Sequence, residues 1–251
     1  MEGSVSTSIN QHLATITFAH PAHNSMPGHL LAELTQQIRK AGESQDVQLI
    51  LLQSAGDRTF CAGASFDELM TITNSEDGKK FFLGFANVIN AIRKCPKIVI
   101  GRVQGKAIGG GVGLCAAVDY CLASKFASVK LSELALGIGP FVVGPPIERK
   151  IGLSAFSQLA INATEWQTAD WAKSKGLFHE VFDTITQLDA YLDHFCEKLL
   201  SSSPDALLAI KQMIWHDTQH WDDLLEERAG ISGRLVTSDA AQQAIKMASI
   251  A

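Results

Sequence analysis

Three consecutive glycines, Gly109-Gly110-Gly111, constrain this chain more than any other stretch. They lie downstream of the apolar segment Ile98-Val99-Ile100 and open into Val112-Gly113-Leu114-Cys115-Ala116-Ala117, a helix pattern made of small residues. Glycine lets backbone approach backbone or ligand closely. A strand that feeds a glycine turn at a helix start aims unpaired N–H groups and the positive end of the helix dipole at one point. Such a point favours an anion, or an oxygen that is gaining negative charge. Further along stands one carboxylate, Glu133, in Lys130-Leu131-Ser132-Glu133-Leu134, with no other charged residue before Glu148. An acid in so apolar a setting is a candidate proton carrier.

Other uses of glycine-rich turns fit less well. A dinucleotide fingerprint needs glycine at position 114, which is Leu114. Gly101-Arg102-Val103-Gln104-Gly105-Lys106 is one residue short of a P-loop, and Ala107 follows the lysine where Ser or Thr is required. Glycines that only permit tight helix–strand packing are the plain alternative. A second motif weighs against it: Phe60-Cys61-Ala62-Gly63-Ala64-Ser65-Phe66-Asp67-Glu68-Leu69 again joins a strand end to a glycine turn and a helix start. Two such turns, each offering a backbone N–H, are what an oxyanion hole requires.

The chain has 251 residues, room for one domain with a sizeable core, and a formal net charge of -5, so nucleic acid is not expected as a partner. The opening MEGSVSTSINQHLATITF has no basic segment followed by an apolar one, and no stretch of membrane-spanning length is free of charge. A cytoplasmic protein without a membrane partner is expected. Five cysteines, odd in number and without a CxxC pair, indicate neither disulfides nor zinc. His216 and His220 have the i, i+4 spacing of a helical metal pair, but no third ligand is in sight, so no metal is expected.

Read in order, Val5 to Phe18 predicts a hairpin broken at Asn10-Gln11-His12, and Leu30, Leu31, Leu34 and Ile38 form the stripe of a helix opened by Pro27. Val47–Leu52 reads as a buried parallel strand, Lys79–Lys94 as a helix and Lys97–Val103 as a strand. Gly152–Asn162 and Thr168–Lys175 read as short helices, and from Thr186 onward the pattern is helical. An α/β core over residues 1–185 followed by a helical region over 186–251 is the expected organisation.

The segments FCAGASFDEL (Phe60–Leu69), GRVQGKAIGGGVGLCAAVDYCLA (Gly101–Ala123) and SELALGIGP (Ser132–Pro140) together resemble the enoyl-CoA hydratase/isomerase family, the crotonase superfamily. The likeness continues through Ala163–Val181 and covers most of the chain. It implies a spiral of repeated ββα units, a C-terminal helical region that mediates homotrimers or dimers of trimers, and acyl-CoA thioesters as substrates. Coenzyme A enters only as part of the substrate, with no metal or redox cofactor. By position, the N–H groups of Ala64 and Gly110 correspond to the family's oxyanion hole and Glu133 to its catalytic acid/base. Ala22, His23, Ala62, Ser65 and Phe66 correspond to residues along the nucleotide and pantetheine arm.

The chain departs from the family in two places. The first of the two glutamates usual in hydratases falls on Gly113, and the GxGG after the proline becomes Pro140-Phe141-Val142-Val143-Gly144-Pro145, with bulk at Phe141 and Val142 that would reshape the acyl pocket. The family's membership leans toward reversible hydration, so the resemblance implies hydration of a 2-enoyl-CoA with Glu133 as general acid/base, while the glutamate missing at Gly113 weighs against it. Alternatives are isomerisation between Δ3 and Δ2 double bonds with Glu133 as sole proton shuttle, dehydration of a branched 3-hydroxyacyl thioester, or a non-catalytic CoA-binding scaffold. Asp67, Glu68 and Glu148 are candidates to replace the missing carboxylate, although helix-start and surface positions explain them equally well.

Overall fold

The computed structural model describes residues 2–248. Strands β1 (Ser4–Asn10) and β2 (Leu13–Ala19) form an antiparallel hairpin. Its turn residues Gln11 and His12 both have positive φ, 46° and 68°, the backbone of a two-residue turn whose twist matches that of the strands. Helix α1 (Gly28–Glu43) buries Leu30, Leu31, Leu34 and Ile38, with Pro27 one position before its first turn.

From here consecutive strands alternate between two sheets. β3 (Leu49–Ser54), β5 (Ile98–Val103), β7 (Tyr120–Ser124) and β10 (Glu180–Phe182) extend the hairpin into a six-stranded sheet of order β1-β2-β3-β5-β7-β10, parallel from β2 onward. Their successors β4 (Thr59–Cys61), β6 (Lys106–Ile108) and β8 (Ser128–Lys130), with β9 (Gln167–Thr168), make a four-stranded sheet of order β4-β6-β8-β9. Each strand pair then leads to helix: β3 and β4 to α2 (Phe66–Leu69) and α3 (Ser75–Lys94), β5 and β6 to α4 (Gly110–Ala117), and β7 and β8 to a 3-10 turn (Leu134–Leu136) and α5 (Gly144–Ile161). This is the repeated ββα spiral.

The continuous apolar run of β3 follows from burial on both faces. Ile50 and Leu52 enter the main core with α1, α3 and α4, whereas Leu49 and Leu51 join Ile98, Ile100 and Leu122 under Leu188, Leu192 and Cys196 of α7 (Ile185–Leu200). α6 (Ala169–Ser174) connects β9 to β10, capped by the Thr168 hydroxyl and closed by Gly176 at φ 88°.

The later helices pack on the same body. α8 (Pro204–Ile214) is tied down by buried Lys211, whose Nζ donates to Asp119 Oδ2 at 2.7 Å, and by Trp215, whose Nε1 donates to Asp119 Oδ1 at 2.6 Å. Asp119 Oδ2 also accepts from the Val99 amide at 2.7 Å, so this carboxylate holds sheet and helix together. α9 (Trp221–Val236) lies against α3 at a crossing where a Cβ on Gly78 would stand 2.8 Å from the Gly233 Cα, and one on Gly233 2.4 Å from the Lys79 nitrogen. α10 (Asp239–Ala248) rests on the 3-10 turn, where Gly137 meets Ala241.

Three sequence expectations need correction. α3 begins at Ser75 rather than Lys79, because the Asn74 side chain accepts from the Asp77 amide and caps the helix earlier. α5 begins at Gly144, with prolines in its first turn, and Gly152 at φ 75° marks a break inside it rather than its start. His216 and His220 share no helical face: α8 stops at Ile214, His216 Nδ1 lies 3.2 Å from the Arg149 guanidinium, and His220 precedes α9. Among the described residues, no group of His, Cys, Asp and Glu is arranged to hold a metal ion.

Candidate functional site

Both glycine turns are built as their sequences suggest, and they press against each other. Gly63, after β4, has φ 84°, and a Cβ there would meet the Ile108 carbonyl oxygen at 2.7 Å and the Gly110 nitrogen at 3.3 Å. The turn is anchored by the Met26 amide donating to the Gly63 carbonyl at 2.8 Å and the Ala62 amide donating to that of His23 at 3.2 Å. Asn24, at φ 57°, fixes the supporting loop: its Nδ2 donates to the carbonyls of Ala55 and Thr59, each at 2.8 Å. Ser65 caps α2 by accepting from the Glu68 amide.

The three glycines each make room for a different neighbour. A Cβ on Gly109 would stand 2.8 Å from Glu133 Oε1, one on Gly110 2.1 Å from the Phe85 ring, and one on Gly111 2.6 Å from the Cys61 carbonyl oxygen. Tight packing accounts for the last two. Gly109, at φ 51°, instead lets the Glu133 carboxylate lie directly on the backbone that enters α4. As the first residue of α4, Gly110 has an N–H without a carbonyl one turn back to accept it.

Glu133 follows β8 and immediately precedes the 3-10 turn, its backbone carbonyl accepting from the amides of Leu136 and Ile138. The residue is part-exposed overall, but its Oε2 is buried and has no hydrogen-bond partner among the described residues. Loss of water from the charged form pushes the carboxyl up to about 7, opposed only by a backbone hydrogen bond within the residue.

Ala62, Ala64, Gly110 and Glu133 line one cavity of about 50 Å³. Its other walls are mostly apolar: Phe82 and Phe85 of α3, Leu136, Ile138, and the Pro140–Val143 segment, with two serines, Ser132 and, from α9, Ser232. Ala62, Ala64, Phe66, Ser132 and Leu136 also border a groove of about 750 Å³ lined by Ala22, His23, Ser65, Asp67, Lys130 and Thr164. The residues expected along a substrate arm therefore meet in one continuous surface, and Pro140 and Phe141 stand at the inner end. Lys130 shares the Trp166 ring with Lys106, their Nζ atoms 4.8 and 5.1 Å from its centroid.

Gly113 does not reach the cavity. A Cβ there would meet Val143 Cγ1 at 2.5 Å, so the altered proline segment occupies the place where a side chain at 113 would emerge. None of the three candidate substitutes lies within this small cavity. Asp67 is exposed on the groove, Glu68 Oε2 accepts from the Gly28 amide at 2.6 Å, and Glu148 is exposed on α5. Cys61 is fully buried and burial pushes its thiol up to about 12, which leaves it inert as a nucleophile.

Phe82 and Phe85 of α3 belong both to the core and to the cavity wall. No sequence motif marks Ser232, although one polar residue in the buried stripe Leu225, Ala229, Ser232, Val236 is a legible signal.

A family model for enoyl-CoA hydratase/isomerase matches residues 8–251. The chain is 29% identical over 204 residues to the short-chain-enoyl-CoA hydratase of Clostridium acetobutylicum, covering 80% of this chain and 77% of that protein. It is likewise 29% identical over 210 residues to the peroxisomal Delta(3,5)-Delta(2,4)-dienoyl-CoA isomerase of Arabidopsis thaliana, covering 77% and 74%. The enoyl-CoA hydratase of Bacillus halodurans superposes with a TM-score of 0.89 at 20% identity, over 97% of this chain and 99% of that one, which establishes the shared fold. The alternating ββα spiral, the paired glycine turns and the family match over nearly the whole chain place this protein in the enoyl-CoA hydratase/isomerase family.

Proposed function

We propose that this protein is an enzyme acting on a short acyl-CoA thioester, with Glu133 moving a proton beside a thioester oxygen held by the N–H groups of Ala64 and Gly110. The observation that carries the proposal is one carboxyl with a buried, unpartnered Oε2, pushed up to about 7, in the same small cavity as two glycine-turn residues. A group with that affinity for protons can both take and return one near neutrality. A cavity of only about 50 Å³ favours a short acyl chain. Lys130 on the groove, with Lys106 beyond Trp166, supplies positive charge for a nucleotide arm.

In the leading reaction, water gives a proton to the Glu133 carboxylate as its oxygen bonds to C3 of a 2-enoyl thioester. The C2–C3 π electrons move toward the thioester oxygen, where two backbone N–H groups stabilise the negative charge. Glu133 then returns the proton to C2, giving the 3-hydroxyacyl thioester, and the reverse sequence dehydrates it.

A second reading follows from the covered position at Gly113. With one carboxylate present, Glu133 could remove a proton from C2 of a 3-enoyl thioester and deliver it to C4, shifting the double bond. Spectroscopic assays with crotonyl-CoA and a short 3-enoyl-CoA separate the two, and turnover of the 3-enoyl substrate alone would refute hydration. Glu133→Ala should abolish turnover while acyl-CoA binding persists; binding without turnover in the parent protein would instead support a scaffold. Assembly as a homotrimer or dimer of trimers belongs to the same proposal, with exposed Leu153, Ile161, Ile210 and Met213 offering apolar surface. Light scattering of the purified protein tests it.

A further inference from the structure

The innermost cavity contains a polar group that the proposed chemistry leaves unused. Ser232 is 1% exposed, lies on the buried stripe of α9 and lines the cavity together with Glu133. A serine inside a helix ordinarily turns its hydroxyl back to the carbonyl one turn earlier. Thr35 inside α1 does so, donating to Leu31 at 2.8 Å, and Ser201 and Ser202 just past the end of α7 do the same to Glu197 at 2.9 Å and Lys198 at 3.0 Å. Among the described residues the Ser232 hydroxyl has no such bond and no other partner. A hydroxyl left unbonded in an apolar enclosure costs free energy unless something entering the enclosure satisfies it.

Its position is set by backbone rather than by a flexible side chain. The Gly78–Gly233 crossing presses α9 onto α3, with 2.8 Å between a Cβ at Gly78 and the Gly233 Cα, and this places the neighbouring Ser232 at the cavity wall. Phe82 and Phe85 of the same α3 line the cavity beside it, so much of the wall around the hydroxyl is hydrocarbon. In a cavity of about 50 Å³, a ligand that fills the space meets both Glu133 and Ser232.

We propose that Ser232 is a specificity-determining residue whose hydroxyl hydrogen-bonds an oxygen on the acyl group, so that the pocket selects oxygen-bearing acyl thioesters over hydrocarbon ones. This rests on the acyl-CoA reading above and adds to it the chemical character of the acyl group. A pocket built around a polar contact discriminates strongly against the analogue that cannot make it.

The test measures dissociation constants of 3-hydroxybutyryl-CoA and butyryl-CoA by calorimetry, in a Glu133→Gln background that prevents elimination of the hydroxyl. The hydroxylated thioester should bind about tenfold more tightly, the worth of one hydrogen bond. Adding Ser232→Ala should erase that preference and leave butyryl-CoA binding unchanged. Ser232→Cys, nearly the same size with a much weaker donor, should do the same and serves if the alanine variant does not fold. A preference that survives either substitution, equal weakening of both ligands, or no preference in the Ser232 parent overturns the inference while leaving the acyl-CoA reading intact. If neither thioester binds the unmodified protein, the acyl-CoA reading falls and takes this inference with it.

Discussion

Replacing Glu133 by Gln should reveal a buried charge through the pH dependence of stability. The carboxyl rises from an ordinary 4.5 to about 7 because burial strips water from its charged form. In an unfolded chain it regains the ordinary value, so between those two pH values the folded state holds more of the proton. The sign follows: stability falls as pH rises through this window and is flat on either side of it. At 1.36 kcal/mol per pH unit the full loss is about 3 kcal/mol. For a chain of this size that corresponds to roughly 6–12 °C in Tm. Gln is neutral throughout and lacks this contribution. The Tm of Glu133→Gln relative to the parent should therefore climb by about that amount from pH 4.5 to pH 8, as read by differential scanning calorimetry. A difference that stays constant across the range would show that the carboxylate is solvated, and the proton-carrier argument would lose its physical basis.

Other outcomes follow from particular contacts. The pH–rate profile for hydration should show a limb near pH 7, rising with pH because the base form is required; a flat profile from 6 to 8 would contradict it. Gly113→Glu alone should destabilise by about 1–3 kcal/mol in urea titrations, since its Cβ meets Val143 at 2.5 Å; with Val143→Gly added, stability should recover. Phe141→Ala, which removes a wall of the cavity, should shift kcat/KM toward six-carbon over four-carbon enoyl thioesters by about tenfold or more. Asp119→Ala leaves the Lys211 ammonium buried and should cost about 3–5 kcal/mol, while Asp119→Ala with Lys211→Met should regain most of it.

Much of the site is legible because it is made locally. Glycine at 63 and at 109–111 announces backbone that must bend or approach closely, and the isolation of Glu133 among apolar residues announces a shifted acid. The strands around them are equally readable, since Leu49 to Leu52 is apolar at every position where a two-faced sheet needs it. What stayed hidden depends on distant pairings. Nothing near Gly113 in sequence says that Val143 will cover it, and Phe82 and Phe85 have the same helical spacing whether they face a core or a cavity. Helix starts depart from the sequence pattern where a cap outweighs propensity, at Asn74, and where prolines sit harmlessly in a first turn, at Pro145 and Pro146. His216 and His220 matched a helical spacing in a segment that turns instead.

The crossing of α9 over α3 also bears on when the pocket comes into being. Residues 60 to 143 supply nearly all of its lining, yet one wall comes from position 232, close to the other end of the chain. During synthesis the glycine turns and the carboxylate can assemble long before that wall exists, leaving the cavity open to solvent. Removal of the chain from Trp221 onward would therefore open the Ser232 side of the pocket, beside the Phe82 and Phe85 rings.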